Sequence, residues 1–170
     1  MVNIQVVTDS SAHFASLHSI QQRGVTVVPN SIVIGGKTYK EGIDLSTEDI
    51  IRLSNHEGVI PVAQSPTQEE FASVYRQLAG MCDAIISIHP SRKIYPSWDH
   101  ARSAATQIAG SCEIVVIDSE TVSAAQGMRV RIALQAGEEE ATLDDVVRRV
   151  RGAIERVYSV YYLDSINPLL

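Results

Sequence analysis

Three times in this sequence a β-branched or aromatic run ends in Asp-Ser: VVTDSS at Val6–Ser11, VVIDSE at Val115–Glu120 and YYLDS at Tyr161–Ser165. A strand-end aspartate can take a proton, accept a phosphoryl group or cap the next helix, and the serine beside it can donate or accept a hydrogen bond. In a parallel sheet all such steps emerge at the carboxyl edge, where open α/β folds place their ligand crevice. Asp9, Ser10, Asp118 and Ser119 are therefore expected at one crevice. More hydroxyls follow predicted strands at Ser11, Ser65, Thr67, Ser91 and Ser97. Hydroxyls and helix N-termini suit a carboxylate or phosphate head group and need no catalytic machinery. Plain helix capping accounts for any single Asp-Ser step equally well.

Catalytic patterns are missing. No GxSxG elbow occurs, and His13, His18, His56, His89 and His100 fall into no hydrolase spacing. Phosphoryl-transfer enzymes with an aspartate at a strand end need a second one two residues later, and Ser11 stands there. Neither GxGxxG nor GxxxxGK[ST] is present, and Gly35-Gly36-Lys37-Thr38 lacks the upstream glycine. Without HExxH or clustered ligands, no metal and no cofactor are expected. Cys82 and Cys112 are read as two isolated, reduced and largely buried thiols. His89, before Pro90, is read as a loop histidine without a role, with a donor at a strand end as the alternative.

The elements that must position these residues alternate. Predicted strands are Asn3–Thr8, Val25–Val28, Asp83–Ile88, Glu113–Ile117 and Val157–Leu163, with a Gly-Gly hairpin over Ser31–Tyr39. Predicted helices cover Ala12–Arg23, a stretch capped by Ser46 or Thr47 and running to Asn55, a third opened by Thr67, then Ser97–Gly110, Ser123–Ala136 and Leu143–Val157. Thr67 and Glu70 have capping-box spacing ahead of an apolar stripe of Phe71, Val74, Tyr75 and Leu78. Glu138–Glu140 is read as a solvated loop. The fold expected is α/β, a mainly parallel sheet with helices on both faces. At 170 residues with 45% apolar and 20% charged positions, one domain is expected over 1–170. A net charge of -6 argues against nucleic acid, and no run is long enough to span a membrane. The opening MVNIQVVTDSS lacks a signal-peptide pattern, so a cytoplasmic location is expected.

Taken in order, TDSS at Thr8–Ser11, VVPNSIVIGGKTYKEGIDLS at Val27–Ser46, QSPTQEEF at Gln64–Phe71, AIISIHPSRKI at Ala84–Ile94 and VIDSETVSAAQGM at Val116–Met128 resemble the amino-terminal domain of the DegV family. The most specific stretch is the hairpin continuation with Lys37, Tyr39, Gly42, Asp44, Leu45 and Ser46. The resemblance implies a three-layer domain of a bacterial fatty-acid-binding protein that is not itself an enzyme. Some members present the acyl carboxylate to a fatty acid kinase partner. The family's second domain, which opens on Gly-Gly-Arg, is expected to be absent here. By the same resemblance a threonine that meets the carboxylate falls on Ala63, and a head-group serine falls on Tyr95 with Pro96 at the following glycine. The lipid-binding set is therefore Asp9, Ser10, Ala63, Ser65, Ser91, Tyr95, Ser97, Asp118 and Ser119, with weakened affinity for a fatty acid or other small anionic lipid. The competing expectation is a degenerate regulatory or interaction module that binds no fatty acid. A homodimer is expected in either case.

Overall fold

In chain order the structure runs β1 (Ile4–Asp9), α1 (Leu17–Gln22), β2 (Val25–Val28), β3 (Ser31–Ile34), β4 (Lys37–Lys40), α2 (Thr47–Glu57) and β5 (Val62–Gln64). It continues with α3 (Gln68–Ala79), β6 (Ala84–His89), α4 (Ser97–Gln107), β7 (Glu113–Asp118), α5 (Ala124–Glu138), α6 (Leu143–Gly152) and a 3-10 turn at Ile154–Arg156. This computed structural model describes residues 2–108, 110, 112–160 and 162.

Four strands form a parallel sheet in the order β2-β1-β6-β7. β6 is central and buried at all six positions, which is why it reads AIISIH rather than alternating apolar and polar. Successive side chains go to opposite faces. Val6, Ile86 and Ile88 pack with Ile20 of α1, Val130 and Ala133 of α5, and Val146 and Val150 of α6. Val7 and Ile85 pack on the other face with Phe71, Tyr75 and Leu78 of α3 and Ala101 and Ala104 of α4. Helices thus cover both faces, as expected.

A second, antiparallel sheet has the order β4-β3-β5. Its β3–β4 turn is Gly35-Gly36, with φ of 55° and 77°, the left-handed pair that a two-residue hairpin requires. β5 has only three residues, all exposed, and takes its extended form from pairing with β3. Nothing in Val62-Ala63-Gln64 alone announces a strand, and sequence reading missed it. Local capping did read correctly. Thr67 accepts from the Glu70 amide while Glu70 accepts from the Thr67 amide at 2.8 Å, and Ser46 with Asp49 does the same for α2.

Several expectations are corrected. α1 begins at Leu17, not Ala12, because the Ser16 side chain captures the Ser19 amide and Ala12 instead bridges to Ser123. α5 continues through Gly137 to Glu138, which pairs with Arg23, while Glu139 pairs with Arg149, so the acidic trio is not a free loop. α6 stops at Gly152. Beyond the 3-10 turn, Val157–Val160 is irregular chain and not a strand. The rest of that predicted strand, apart from Tyr162, and the third Asp-Ser step at 164–165 lie outside the described residues. Arg129, fully buried on α5, donates to Thr121 Oγ1, the Ala125 carbonyl and the Ile154 carbonyl, which ties the turn after α6 to α5. Burial lowers its pKa.

Candidate functional site

β2 lies on one side of β1 and β6 on the other. The carboxyl ends of β1 and β6 are therefore the point where strand order reverses, the usual crevice of an open parallel sheet. Asp9 ends β1 and His89 ends β6, with His89 in register with Asp118. All three residues are at one sheet edge.

Beneath that edge runs a closed hydrogen-bond chain. His89 Nδ1 lies 2.9 Å from Asp9 Oδ2, and His89 Nε2 lies 2.7 Å from Ser87 Oγ. The Tyr75 hydroxyl donates to Ser87 Oγ at 2.7 Å. Asp9, Ser87, His89 and Tyr75 are fully buried. With Tyr75 donating to Ser87, the tautomer of a neutral imidazole that carries its proton on Nδ1 takes the serine proton at Nε2 and gives Nδ1–H to Asp9. Burial pushes the Tyr75 phenol above its ordinary value, which keeps it a donor. The other Asp9 oxygen accepts from the Ser11 amide at 3.0 Å and from Gln126 Nε2 at 3.3 Å. The Phe71 ring closes the side of His89 at 4.8 Å, edge on. This order imitates a nucleophilic triad, but a substrate cannot reach a serine with no exposed surface. The chain is a support for the loop after β1. His89 is accordingly a buried strand residue and not the idle loop histidine expected.

Above the support lies a cavity of about 480 Å³. One wall is the loop after β1, Ser10 to Phe14, joined to the start of α5. The Ser123 amide donates to the Ser11 carbonyl at 2.9 Å, and the His13 amide to the Ser123 carbonyl at 3.1 Å. Ser123 takes φ of 62° to make both bonds. Gly127 lets α5 come this close, since a Cβ there would sit 2.2 Å from the His13 carbonyl oxygen. Another part of the wall comes from the antiparallel sheet and its continuation, Glu41 to Ile43 and Ala63, and Tyr95 adds its ring.

The hydroxyls differ in what they have left to give. Ser10 Oγ donates to Glu41 Oε2 at 2.6 Å and accepts the Asn30 amide, so its proton is spent. Ser11 Oγ accepts from Asn30 Nδ2 at 3.1 Å and keeps its own proton. Tyr95 and Ser123 have no side-chain hydrogen bond to another described residue. Hydroxyls on this cavity with a proton to give thus include Ser11, Ser123 and Tyr95.

Of the residues expected from sequence, Ser10, Ala63 and Tyr95 line the cavity. Asp9 lies beneath it. Ser91 receives the Lys93, Ile94 and Tyr95 amides and so shapes the turn that presents Tyr95. Asp118 and Ser119 build their own turn: Asp118 accepts the Glu120 amide, and Ser119 donates to the Thr121 carbonyl. Ser65 and Ser97 each bury a hydroxyl without a partner, away from the cavity lining. Sequence reading missed Glu41, Asn30 and Ser123. Glu41, next to Gly42 at the end of the hairpin, had a local signal; Asn30 and Ser123 are brought in by tertiary pairing alone. Among the described residues no three His, Cys, Asp or Glu side chains gather as a metal site would need.

The family model described as "Uncharacterised protein, DegV family" matches residues 3–170. A DegV domain-containing protein of Listeria monocytogenes is 33% identical over 168 residues, 98% of this chain and 58% of the relative. One from Deinococcus radiodurans is 29% identical over 157 residues, 92% and 53% of the two chains. Among solved structures, a fatty-acid-binding DegV family protein from Thermus thermophilus superposes with a TM-score of 0.82 at 28% identity, over 90% of this chain and 54% of that one. DegV from Bacillus subtilis, a fatty acid binding protein, gives 0.85 at 25% identity, over 91% and 55%. The chain spans a little over half the length of these relatives. With a family model matched across nearly its whole length and the same layered sheet beneath the match, the chain belongs to the DegV family.

Proposed function

We propose that the cavity binds the carboxylate end of a long-chain fatty acid without catalysis, and that its altered head-group positions weaken that binding. The observation that carries this reading is the lining itself. Free hydroxyls of Ser11 and Ser123 share a space of about 480 Å³ with apolar Phe14, Leu17, Val27 and Ile43. Small-molecule pockets are about 300–1,000 Å³, mostly apolar, with a few converging polar groups. Similarity to proteins that bind fatty acids supports the choice of ligand. Ala63 offers no hydroxyl, the Tyr95 ring takes up volume, and the Glu41 carboxylate opposes an anionic head. Each weakens binding.

Calorimetric titration with a long-chain fatty acid tests this. A hydrogen bond to a charged group is worth about 1.5–3 kcal/mol, so restoring one tightens binding roughly tenfold or more. Ala63→Thr combined with Tyr95→Ser is expected to bind at least that much tighter than the parent chain. Tight binding by the parent, unchanged in the double variant, would place the head group elsewhere. A second reading, a partner-binding module with no acyl ligand, is favoured by the Glu41 carboxylate in the cavity. Absence of binding heat in both proteins selects it.

In the lipid reading the chain is a cytoplasmic carrier that hands the acyl carboxylate to a kinase-type partner and pairs with a second copy. Support for pairing is the exposed apolar run of Tyr158, Val160 and Tyr162. Light scattering is expected to give twice the chain mass; a strict monomer at high concentration would remove the homodimer.

A further inference from the structure

Cys82 and Cys112 are 30 positions apart, yet their Sγ atoms lie 3.7 Å from each other. The cause is the sheet. Cys82 comes just before β6 and Cys112 just before β7, and these strands pair with Ala84 opposite Glu113. The two thiols meet at the amino edge of the sheet, at the opposite end from the cavity. Both are half-buried rather than enclosed, a correction to the isolated, largely buried thiols expected from sequence. Cys82 donates to the Leu78 carbonyl at 3.2 Å, and Cys112 is 3.6 Å from the Glu113 carbonyl. No third ligand gathers around them among the described residues, so the pair is not an assembled metal site.

We propose that Cys82 and Cys112 are a reversible oxidation site at which a peroxide converts the two thiols into an intramolecular disulfide. One thiolate attacks a peroxide oxygen, the O–O bond breaks, and the first water leaves as a sulfenic acid forms on that sulfur. The neighbouring thiolate then displaces the sulfenic oxygen as the second water. Two thiols and one hydrogen peroxide thus give one disulfide and two waters, with sulfur oxidised and peroxide reduced. The sulfurs must close from 3.7 Å to about 2.05 Å, a shift that rotation about the two Cα–Cβ bonds can supply.

Two consequences follow. The bond would close a loop that contains β6, the Ser91–Tyr95 turn and α4, so it would tether both ends of the segment that presents Tyr95 to the cavity. Reaction at neutral pH would be slow. Burial, with Asp83 beside them, pushes both thiols up, and the Cys82 thiol and Glu113 raise Cys112 further, to about 12. Arg102 and Arg151 line the same groove as Cys112. Because the thiolate is the attacking form, the rate rises with pH across the neutral and mildly alkaline range.

The experiment exposes the full chain to excess hydrogen peroxide and follows titratable thiols, intact mass and melting temperature. Both thiols are expected to disappear with the loss of two hydrogen masses, faster at pH 9 than at pH 7, and to return with dithiothreitol. Melting temperature is expected to rise by about 5–10 °C in the oxidised form. Cys82→Ser and Cys112→Ser are each expected to gain oxygen mass and never lose two hydrogens. Stable oxygen adducts mapped to Cys82 or Cys112 of the parent, cross-linked dimers in place of the internal bond, or two thiols untouched after prolonged exposure at pH 9 would each overturn the proposal; oxygen on exposed Met81 or Met128 does not count.

Discussion

Asp9→Ala is expected to destabilise the protein by about 3–5 kcal/mol, because it leaves several buried donors without an acceptor. The carboxylate is fully buried and takes three donors: His89 Nδ1, the Ser11 amide and Gln126 Nε2. Alanine leaves all three facing an apolar void, and each stranded donor carries a desolvation cost of about 1–3 kcal/mol. These costs do not simply add, because the groups share one space. Asp9→Asn keeps the volume and one carbonyl oxygen for Ser11 and Gln126, so it is expected to lose roughly half as much. Urea denaturation measures both. A midpoint for Asp9→Ala equal to that of the parent would mean that the buried chain contributes nothing to stability.

Gly127→Ala is expected to destabilise by about 2–3 kcal/mol net, although alanine is the better helix former by about 1 kcal/mol. The new methyl would stand 2.2 Å from the His13 carbonyl oxygen and 3.3 Å from the Phe14 ring. The first contact is backbone, which cannot rotate away. Either α5 backs off or the loop shifts, and a shift of the loop strains the His13–Ser123 bond that closes the cavity wall. Gly137, on the same helix, is the control: a Cβ there meets nothing within 4 Å. Gly137→Ala is expected to stabilise by up to about 1 kcal/mol. Thermal melts of the two variants should therefore move in opposite directions. Movement of both in the stabilising direction would refute the close approach at His13.

Sequence legibility followed the range of the interaction. The parallel strands were readable because burial on both faces demands continuous apolar runs such as AIISI and EIVVI. The α3 cap and the Gly-Gly hairpin were readable because each is decided within four residues. The candidate site was readable only in part. Ser10 follows from the strand-end Asp-Ser step and Ala63 and Tyr95 from family motifs, whereas Asp118 and Ser119 share the edge without reaching the cavity. Contacts such as Asn30 with Ser10, Gly127 with His13 and Cys82 with Cys112 leave no trace in either local segment. Topology alone brings them together. β5 shows the same limit, since its partner decides its conformation.

The antiparallel sheet contributes to neither of the two core clusters, and α2, which follows it, buries no residue at all. Ile43 and Ala63 therefore shape the cavity from a part of the chain that lies outside both clusters. Substitutions at these positions change the shape and charge of the cavity while the packed layers keep their stability, so new ligand preferences can accumulate there by single steps. Opposite them, Ser11 and Ser123 are bound to each other through their backbones and anchored on Asp9 and α5. The wall that rests on the buried support is held constant by folding, and the wall outside it is open to selection.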